Sequence, residues 1–174
     1  MGCNSFFKFT LRKISKNYLS ILHFQTAFVF SQKKMANPIY PCLWFDGKAK
    51  EAAEFYCSIF KNSNIIADTG MVVQFELNGR RFMGLNGGPN FVFNEAVSFV
   101  VECENQDEID HYWNSLCEGG KENSCGWLKD KYGVSWQIVP AILGKLMSDP
   151  LKAPRVLKAF MQMKKFDIAV LQQA

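Results

Sequence analysis

The segment GWLKDKYGVSWQIVP, residues 126–140, contains the clearest indication of the fold. Asp130 and Gly133 bound a turn, and the apolar residues that follow predict a strand over 134–139. One amide, Gln137, interrupts this apolar strand. Either Gln137 points to water from an ordinary strand, or it points into a cavity where a ligand binds. The two interpretations describe different proteins.

The residues before this strand predict a strand, a helix and further short strands. The segment AVSFVVEC (96–103) predicts the strand. The segment QDEIDHYWNSLCEGG (106–120) predicts the helix, because acidic residues occupy its first turn and glycines follow its end. Weaker strand signals lie around 124–131. The second half of the chain therefore has the order strand, helix, strands.

The first half of the chain predicts the same order. Residues 39–45 read as a strand, 48–60 as an amphipathic helix, and 64–68 as a short strand. The segment MVVQFELNGRRFMGLNGG predicts a hairpin, because Asn78-Gly79 is a two-residue turn signal between two alternating runs.

This order occurs twice at a spacing of roughly 55 residues, which is the sequence signature of an internal repeat. We therefore predict an α+β fold over residues 35–140, built from two βαβββ modules at about 38–90 and 91–140. The modules are expected to form a cup-shaped mixed sheet. Residues 141–174 predict C-terminal helices whose apolar stripe belongs to a core or to a dimer contact.

Composition excludes several classes of protein. The chain has 174 residues, 48% of them hydrophobic and 21% charged, which is typical of a globular protein. Residues 1–34 hold six basic residues and no acidic one, which leaves 14 basic and 16 acidic residues in the rest. Residues 35–174 are slightly acidic and contain no basic run, so the sequence predicts no basic surface for binding nucleic acid.

The six cysteines show neither a CxxC pair nor zinc spacing, which predicts reduced thiols in a cytoplasmic protein. His23 and His111 are the only histidines, so metal chemistry based on histidine is limited. Residues 1–34 contain neither a clean signal peptide nor the ~20 apolar residues of a membrane helix. We interpret 1–34 as an N-terminal extension or a mis-assigned start, with an organelle transit peptide as the alternative.

The doubled order resembles the vicinal oxygen chelate superfamily, which includes glyoxalase I, bleomycin resistance proteins and extradiol dioxygenases. The strings LWFDGKAKEAAEFYCSIFKNS, FELNGRRFMGLNGGPNFVFNEAVSFVVEC and GWLKDKYGVSWQIVP resemble the PhnB-like family, also called the 3-demethylubiquinone-9 3-methyltransferase domain. The resemblance runs from about Pro38 to the C-terminus. The segment between Asn64 and Met71 is shorter than the family's usual loop.

The resemblance implies a concave face that holds a divalent metal through as many as four positions, normally His, Gln or Glu. These positions fall at Pro41, Gly84, Ala96 and Gln137. Three of them offer no side-chain donor, and one amide oxygen is a weak ligand. We therefore predict no metal and no cofactor.

Strand alternation then predicts which side chains line the cavity, because residues i and i+2 share a face. The alternative is that these residues fill a collapsed barrel. The opposite face is expected to pack against helices through Val73, Phe75, Leu77, Met83, Leu85, Trp136 and Ile138. The predicted ligand pocket consists of Pro41, Leu43, Phe45, Gln74, Glu76, Phe82, Gly84, Asn86, Ala96, Ser98, Ser135 and Gln137.

The function expected from these residues is binding of a small organic molecule in a metal-free cavity, with transformation of that molecule left open. The family's methyltransferase name has no support in the sequence, since no glycine-rich turn of a parallel S-adenosylmethionine-binding sheet is present. One alternative is a divergent lyase, isomerase or dioxygenase that recruits a metal through Gln137, Glu76 or substrate oxygens. Another is a resistance-type protein that sequesters its ligand. A homodimer, formed through strand edges or helices, is expected in each case.

Overall fold

The computed structural model describes residues 38–174, so the interpretation of residues 1–34 lies outside the described residues. The first module contains one helix and four strands: β1 (Cys42–Phe45), α1 (Ala49–Ile59), β2 (Asn64–Asp68), β3 (Val72–Leu77) and β4 (Arg80–Asn86). The second repeats this order: β5 (Phe99–Cys103), α2 (Gln106–Cys117), β6 (Lys121–Glu122), β7 (Trp127–Lys129) and β8 (Ser135–Pro140). Three short helices follow: α3 (Leu143–Ser148), α4 (Ala153–Phe160) and α5 (Ile168–Gln173).

Each module forms its own four-stranded mixed sheet. The strand order is β1-β4-β3-β2 in the first sheet and β5-β8-β7-β6 in the second. In both sheets the first strand runs parallel to the last one, while the remaining pairs are antiparallel. The predicted α+β fold of two βαβββ modules is therefore confirmed.

The β3–β4 hairpin turns at the two residues that its sequence predicted. Asn78 and Gly79 have φ angles of 49° and 72°, which is the left-handed region that a type I′ turn requires. A two-residue turn places Leu77 directly opposite Arg80. That pairing fixes the register of the whole hairpin.

Helix α1 packs on one face of the first sheet, which we call its covered face. The helix buries a stripe of small and apolar residues: Ala49, Ala52, Ala53, Tyr56 and Ile59. Val73, Phe75 and Leu77 of β3 are buried on this face. A Cβ atom placed on Gly84 of β4 would lie 3.1 Å from the Cβ of Ala49. The helix therefore approaches the sheet closely because small residues meet at this contact.

Helix α2 covers one face of the second sheet in the same way. Its buried residues Ile109, Trp113 and Leu116 pack towards β8, whose Trp136 and Ile138 are buried. Side-chain oxygens at the start of the helix accept from two backbone N–H groups, one in its first turn and one just before the N-cap. The side chain of Asn105 accepts from the Glu108 backbone N–H, and the Glu108 carboxylate accepts from the Glu104 backbone N–H.

A buried carboxylate joins the two modules. Asp130 Oδ1 accepts hydrogen bonds from the backbone N–H groups of Tyr132 (2.9 Å) and Val134 (3.0 Å). Its Oδ2 atom accepts from the Tyr56 hydroxyl (2.7 Å) and from Trp136 Nε1 (2.8 Å). Burial raises the pKa of the Asp130 carboxyl, and these four donors oppose the rise. Because Tyr56 belongs to α1, this contact ties the first module to the turn of the second.

The C-terminal helices predicted over residues 141–174 are three short ones, and the last two are separated by a break. Helix α4 ends at Phe160, and α5 begins only at Ile168. Between them the Gln106 side chain donates to the Phe166 carbonyl and accepts from the Ile168 backbone N–H. These tertiary bonds and the burial of Phe166 stabilise the break. Within residues 38–174, no helix has the length and apolar content needed to span a bilayer.

Candidate functional site

Each sheet has an uncovered face opposite its helix, and the pairing of strands shows which predicted pocket residues lie there. Residues paired across neighbouring strands share a face. Val73 pairs with Gly84, and Phe75 pairs with Phe82. Phe82 and Gly84 therefore lie on the covered face under α1, and their assignment to the concave side was wrong.

Asn86 continues the same strand and also points towards α1. Its Oδ1 atom accepts from the backbone N–H of Ala49 (2.9 Å), at the first turn of the helix. Its Nδ2 atom donates to the carbonyl of Gly70 (2.7 Å). Asn86 is thus a helix-capping residue rather than a group that faces the uncovered side. Met83 and Leu85, predicted to pack under the helix, alternate with these residues and lie on the uncovered face.

The predicted faces of β1 were also wrong, because the strand pairs in register with β4. Leu43 pairs with Gly84 and Phe45 pairs with Asn86, so both side chains are buried on the covered face. Pro41 precedes the strand, and its carbonyl accepts from the Met83 backbone N–H (3.0 Å). A shift of one residue in register moves every side chain of a strand to the other face.

Gln74 and Glu76 lie on the uncovered face of the first sheet, as the alternation predicted. Both are half-buried. Gln74 Oε1 accepts from Arg81 Nη2 (2.6 Å). The guanidinium carbon of Arg81 also lies 4.8 Å from the centre of the Tyr40 ring. This face is therefore a mixture of paired polar groups and apolar side chains.

Gln137 and Ser98 meet on the uncovered face of the second sheet. Gln137 pairs with Val100 of β5, and its Nε2 atom donates to Ser98 Oγ (2.9 Å). Ser135 lies two residues earlier on the same face and is only 2% exposed. Within residues 38–174 its hydroxyl is the one buried side-chain polar atom without a hydrogen-bond partner. A buried hydroxyl of this kind is rare in folded proteins and calls for an explanation.

The connection between β4 and β5, residues 87–98, contacts Trp44 of the first module and Lys129 of the second. Trp44 Nε1 donates to the carbonyl of Gly88 (2.8 Å). Glu95 forms an ion pair with Lys129 (2.7 Å), and Lys129 pairs with Ser135 across the sheet. Ala96 lies in this connection, is exposed, and donates its backbone N–H to the Asn94 side chain. Residues 96–98, predicted as strand, precede the observed start of β5 at Phe99.

The four positions at which the resemblance implied metal ligands do not converge. Gly84 lies on the covered face of the first sheet, and Ala96 lies in a connecting segment. In the part of the chain that the structure describes, no three His, Cys, Asp or Glu side chains are grouped as a metal site. His111 Nε2 lies 3.0 Å from the carbonyl oxygen of Ile59, which indicates a helix-packing role. The residues present at these positions therefore do not fit the implied metal.

A second concave region lies between the modules. It is a cleft of about 1160 Å³. One wall comes from the end of α1 and the β3–β4 turn, and the other from β5 and the first half of α2. Of the predicted pocket residues only Phe82 lines this cleft. Sequence reasoning missed the charged side chains of both walls because no periodic pattern links them: Lys61, Arg80, Glu102, Asp107 and Glu108.

The paired βαβββ modules with a helix on each sheet define a protein of the glyoxalase and bleomycin resistance fold. A family model described as 3-demethylubiquinone-9 3-methyltransferase matches residues 37–139. The chain belongs to this PhnB-like family.

The chain is similar to several solved structures. A PhnB protein from Bacillus cereus is 36% identical, with a TM-score of 0.56; the match covers 60% of this chain and 100% of that one. Protein PA1353 from Pseudomonas aeruginosa is 19% identical, with a TM-score of 0.50 and coverage of 60% and 98%. The fosfomycin resistance protein FosX from Listeria monocytogenes is 14% identical, with a TM-score of 0.48 and coverage of 64% and 98%. No curated protein matches the chain.

Proposed function

We propose that this protein binds a small organic molecule on the uncovered face of its second sheet, around Gln137. The observation that carries the proposal is the buried hydroxyl of Ser135, which has no hydrogen-bond partner in residues 38–174. Gln137 and Ser98 lie on the same face. One hydroxyl and one amide within an otherwise apolar strand match the usual composition of a small-molecule site, where few polar groups fix the ligand's orientation.

We further propose that the binding site is completed by a second copy of the chain. The β4–β5 connection and the residue before β3 expose large apolar side chains that a monomer leaves in water: Met71, Phe91, Val92 and Val97. Four large exposed apolar residues, three of them within one short connection, are consistent with an interface. A two-fold dimer would cover the same patch on both copies, and it would enclose the Gln137 face between them.

The methyltransferase description of the family receives no support from the fold. Enzymes of the common S-adenosylmethionine-dependent type bind their cofactor at a glycine-rich turn in a doubly wound parallel sheet. Here each sheet has a single parallel strand pair. The proposal is therefore ligand binding, with no residue assigned to a methyl transfer.

Native mass spectrometry with elemental analysis of the purified chain tests this function. We expect a metal-free dimer that carries a small organic adduct. Gln137→Ala should lower the affinity for that adduct by about 1–3 kcal/mol, because a hydrogen bond is lost, and it should leave the unfolding midpoint nearly unchanged.

The matched control is Gln162→Ala, which removes an exposed amide from the C-terminal segment and should change neither quantity. An adduct bound equally well by wild type and Gln137→Ala would remove Gln137 from the site. A stoichiometric divalent ion would instead favour the metal-dependent lyase, isomerase or dioxygenase.

A further inference from the structure

The cleft between the modules has a floor made of aromatic rings from both modules. Phe82 of the first module and Phe99 of the second have ring centres 5.3 Å apart. Phe99 in turn contacts Trp136 at 5.3 Å. All three residues line the cleft. Its floor is therefore apolar and is built across the module boundary.

One wall of the cleft is the open edge of a strand. Four consecutive residues of β5, Phe99–Glu102, line the cleft. Successive side chains of a strand point to opposite faces. A cleft that contacts four consecutive residues must therefore contact the edge of the strand. Strand β5 is the first strand of its sheet and is bonded to β8 alone. Its outer edge offers backbone donors and acceptors that, within residues 38–174, have no backbone partner.

The two sides of the cleft carry opposite charges. Lys61 and Arg80 stand on the side of the first module, and Glu102 and Asp107 stand on the side of the second. All four are exposed. Among the described residues none of them has an ion-pair partner within 4.0 Å. A ligand that spans the cleft therefore meets a cationic group on one side and an anionic group on the other.

We propose that this cleft binds a short apolar peptide with free termini. Its backbone spans the cleft and reaches the unpaired donors and acceptors of the β5 edge at one wall, and its apolar side chains lie on the aromatic floor. Its carboxylate is bound on the side of Arg80 and its ammonium on the side of Glu102. Gln137 and Ser135 do not line the cleft, so this site is distinct from the ligand site proposed above.

Titration calorimetry of the full-length protein with the free tripeptide Val-Phe-Val tests the proposal. Because exposed ion pairs are weak, Arg80→Gln and Glu102→Gln are each expected to weaken binding by about two- to fivefold. Two neighbouring charges provide matched controls. Arg81→Gln changes the next residue of β4, whose side chain contacts Gln74 on the uncovered face, and Glu104→Gln changes a carboxylate outside the cleft lining.

Peptides blocked at one end make the test sharper. The N-acetylated tripeptide should bind more weakly than the free one and should no longer respond to Glu102→Gln, while still responding to Arg80→Gln. The C-amidated tripeptide should also bind more weakly than the free one, but it should respond to Glu102→Gln and no longer respond to Arg80→Gln. Gln137→Ala should leave peptide binding unchanged, which separates this site from the proposed small-molecule site.

Three results would overturn the proposal. The first is the absence of measurable binding at millimolar tripeptide, and the second is equal affinity for the free and blocked peptides. The third is an equal loss of affinity in the control variants Arg81→Gln and Glu104→Gln.

Discussion

Gln137 is half-buried, and its amide group has a defined partner in Ser98 Oγ. Its neighbours Trp136 and Ile138 are buried on the covered face, as the alternation predicted. Ser135 has the opposite property, since its hydroxyl is enclosed and has no hydrogen-bond partner in the part of the chain that the structure describes. Asp130 shows a third arrangement, in which each carboxylate oxygen accepts two hydrogen bonds. These three residues lie within one short stretch, yet only the folded chain distinguishes their roles.

Asp130→Asn should lower the free energy of unfolding by about 2–4 kcal/mol. The substitution keeps the shape of the side chain, but it turns one acceptor oxygen into an NH2 group facing two donors. Urea denaturation followed by far-ultraviolet circular dichroism measures the change. Asp107→Asn, at an exposed position of α2, is the control and should stay close to wild type. Equal stability of the two variants would contradict the bonding described for Asp130.

The thiols should differ strongly in reactivity. Burial, together with the nearby Glu108 charge, raises the pKa of Cys103 to about 12. Burial and the Glu122 charge raise the pKa of Cys117 to about 11. Cys42 is exposed. Because the thiolate is the reactive form, iodoacetamide at pH 8 should label Cys42 at least about tenfold faster than Cys103.

Peptide mapping after timed quenching gives the labelling rates. In denaturant the three cysteines should react at similar rates, since burial no longer separates them. Rapid labelling of Cys103 in the native protein would show that its strand opens readily.

At the level of helices and strands, the sequence predicted the existence and order of nearly every element. The errors concerned the face of the sheet on which the side chains of β1 and β4 lie. The Asn78-Gly79 turn already contained the missing information. A two-residue turn makes residues 77 and 80 partners, so Phe75 and Phe82 must share a face. The prediction placed them on opposite faces because it followed the ligand position that the resemblance implied at Gly84. Local turn geometry was the more reliable guide.

Gly84→Val distinguishes the two assignments of β4. If Gly84 lined an open cavity, the added methyl groups would enter free space at little cost. Because its Cβ position lies 3.1 Å from Ala49 Cβ, we expect overpacking against α1 and a loss of about 1–3 kcal/mol in the free energy of unfolding.

Gly144→Ala provides a control of opposite sign. A Cβ atom at Gly144 in α3 would meet nothing within 4 Å, so this variant should gain about 0.5–1 kcal/mol through helix propensity. Thermal denaturation reports both shifts. A Gly84→Val variant as stable as wild type would place β4 in the other register.

For the molecule as a whole, the modules meet through their helices, aromatic rings and Asp130, so both uncovered faces stay free of these contacts. Tyr56 of α1 contacts Trp136 of β8, with ring centres 5.4 Å apart, and Phe60 stacks on the same ring at 5.4 Å. The inter-module cleft exists only because of this arrangement. A second copy is the proposed cover for the uncovered side.

Val92→Lys should shift the proposed dimer towards monomer. Val92 is 87% exposed in the connection between β4 and β5, and a charge there would be buried by a partner at a cost of about 2–4 kcal/mol. Sedimentation velocity over a concentration series measures the dissociation constant. Leu151→Lys is matched in exposure, at 83%, but lies in the C-terminal segment and should leave association unchanged. Equal dissociation constants for the two variants would show that the interface does not include residues 87–98.

The repeated strand–helix–strands order, the hairpin turn at Asn78-Gly79 and the inward packing of Trp136 and Ile138 could all be predicted from the sequence. These features depend on local propensity and periodicity, which neighbouring residues in the chain encode. Three features became visible only in the folded chain: the face of β1 and β4 that meets α1, the break between the last two helices, and the charged cleft between the modules. Those features depend on contacts between residues far apart in the chain, such as Gly84 with Ala49, Gln106 with Phe166 and Phe82 with Phe99. No periodicity within a single element specifies such contacts.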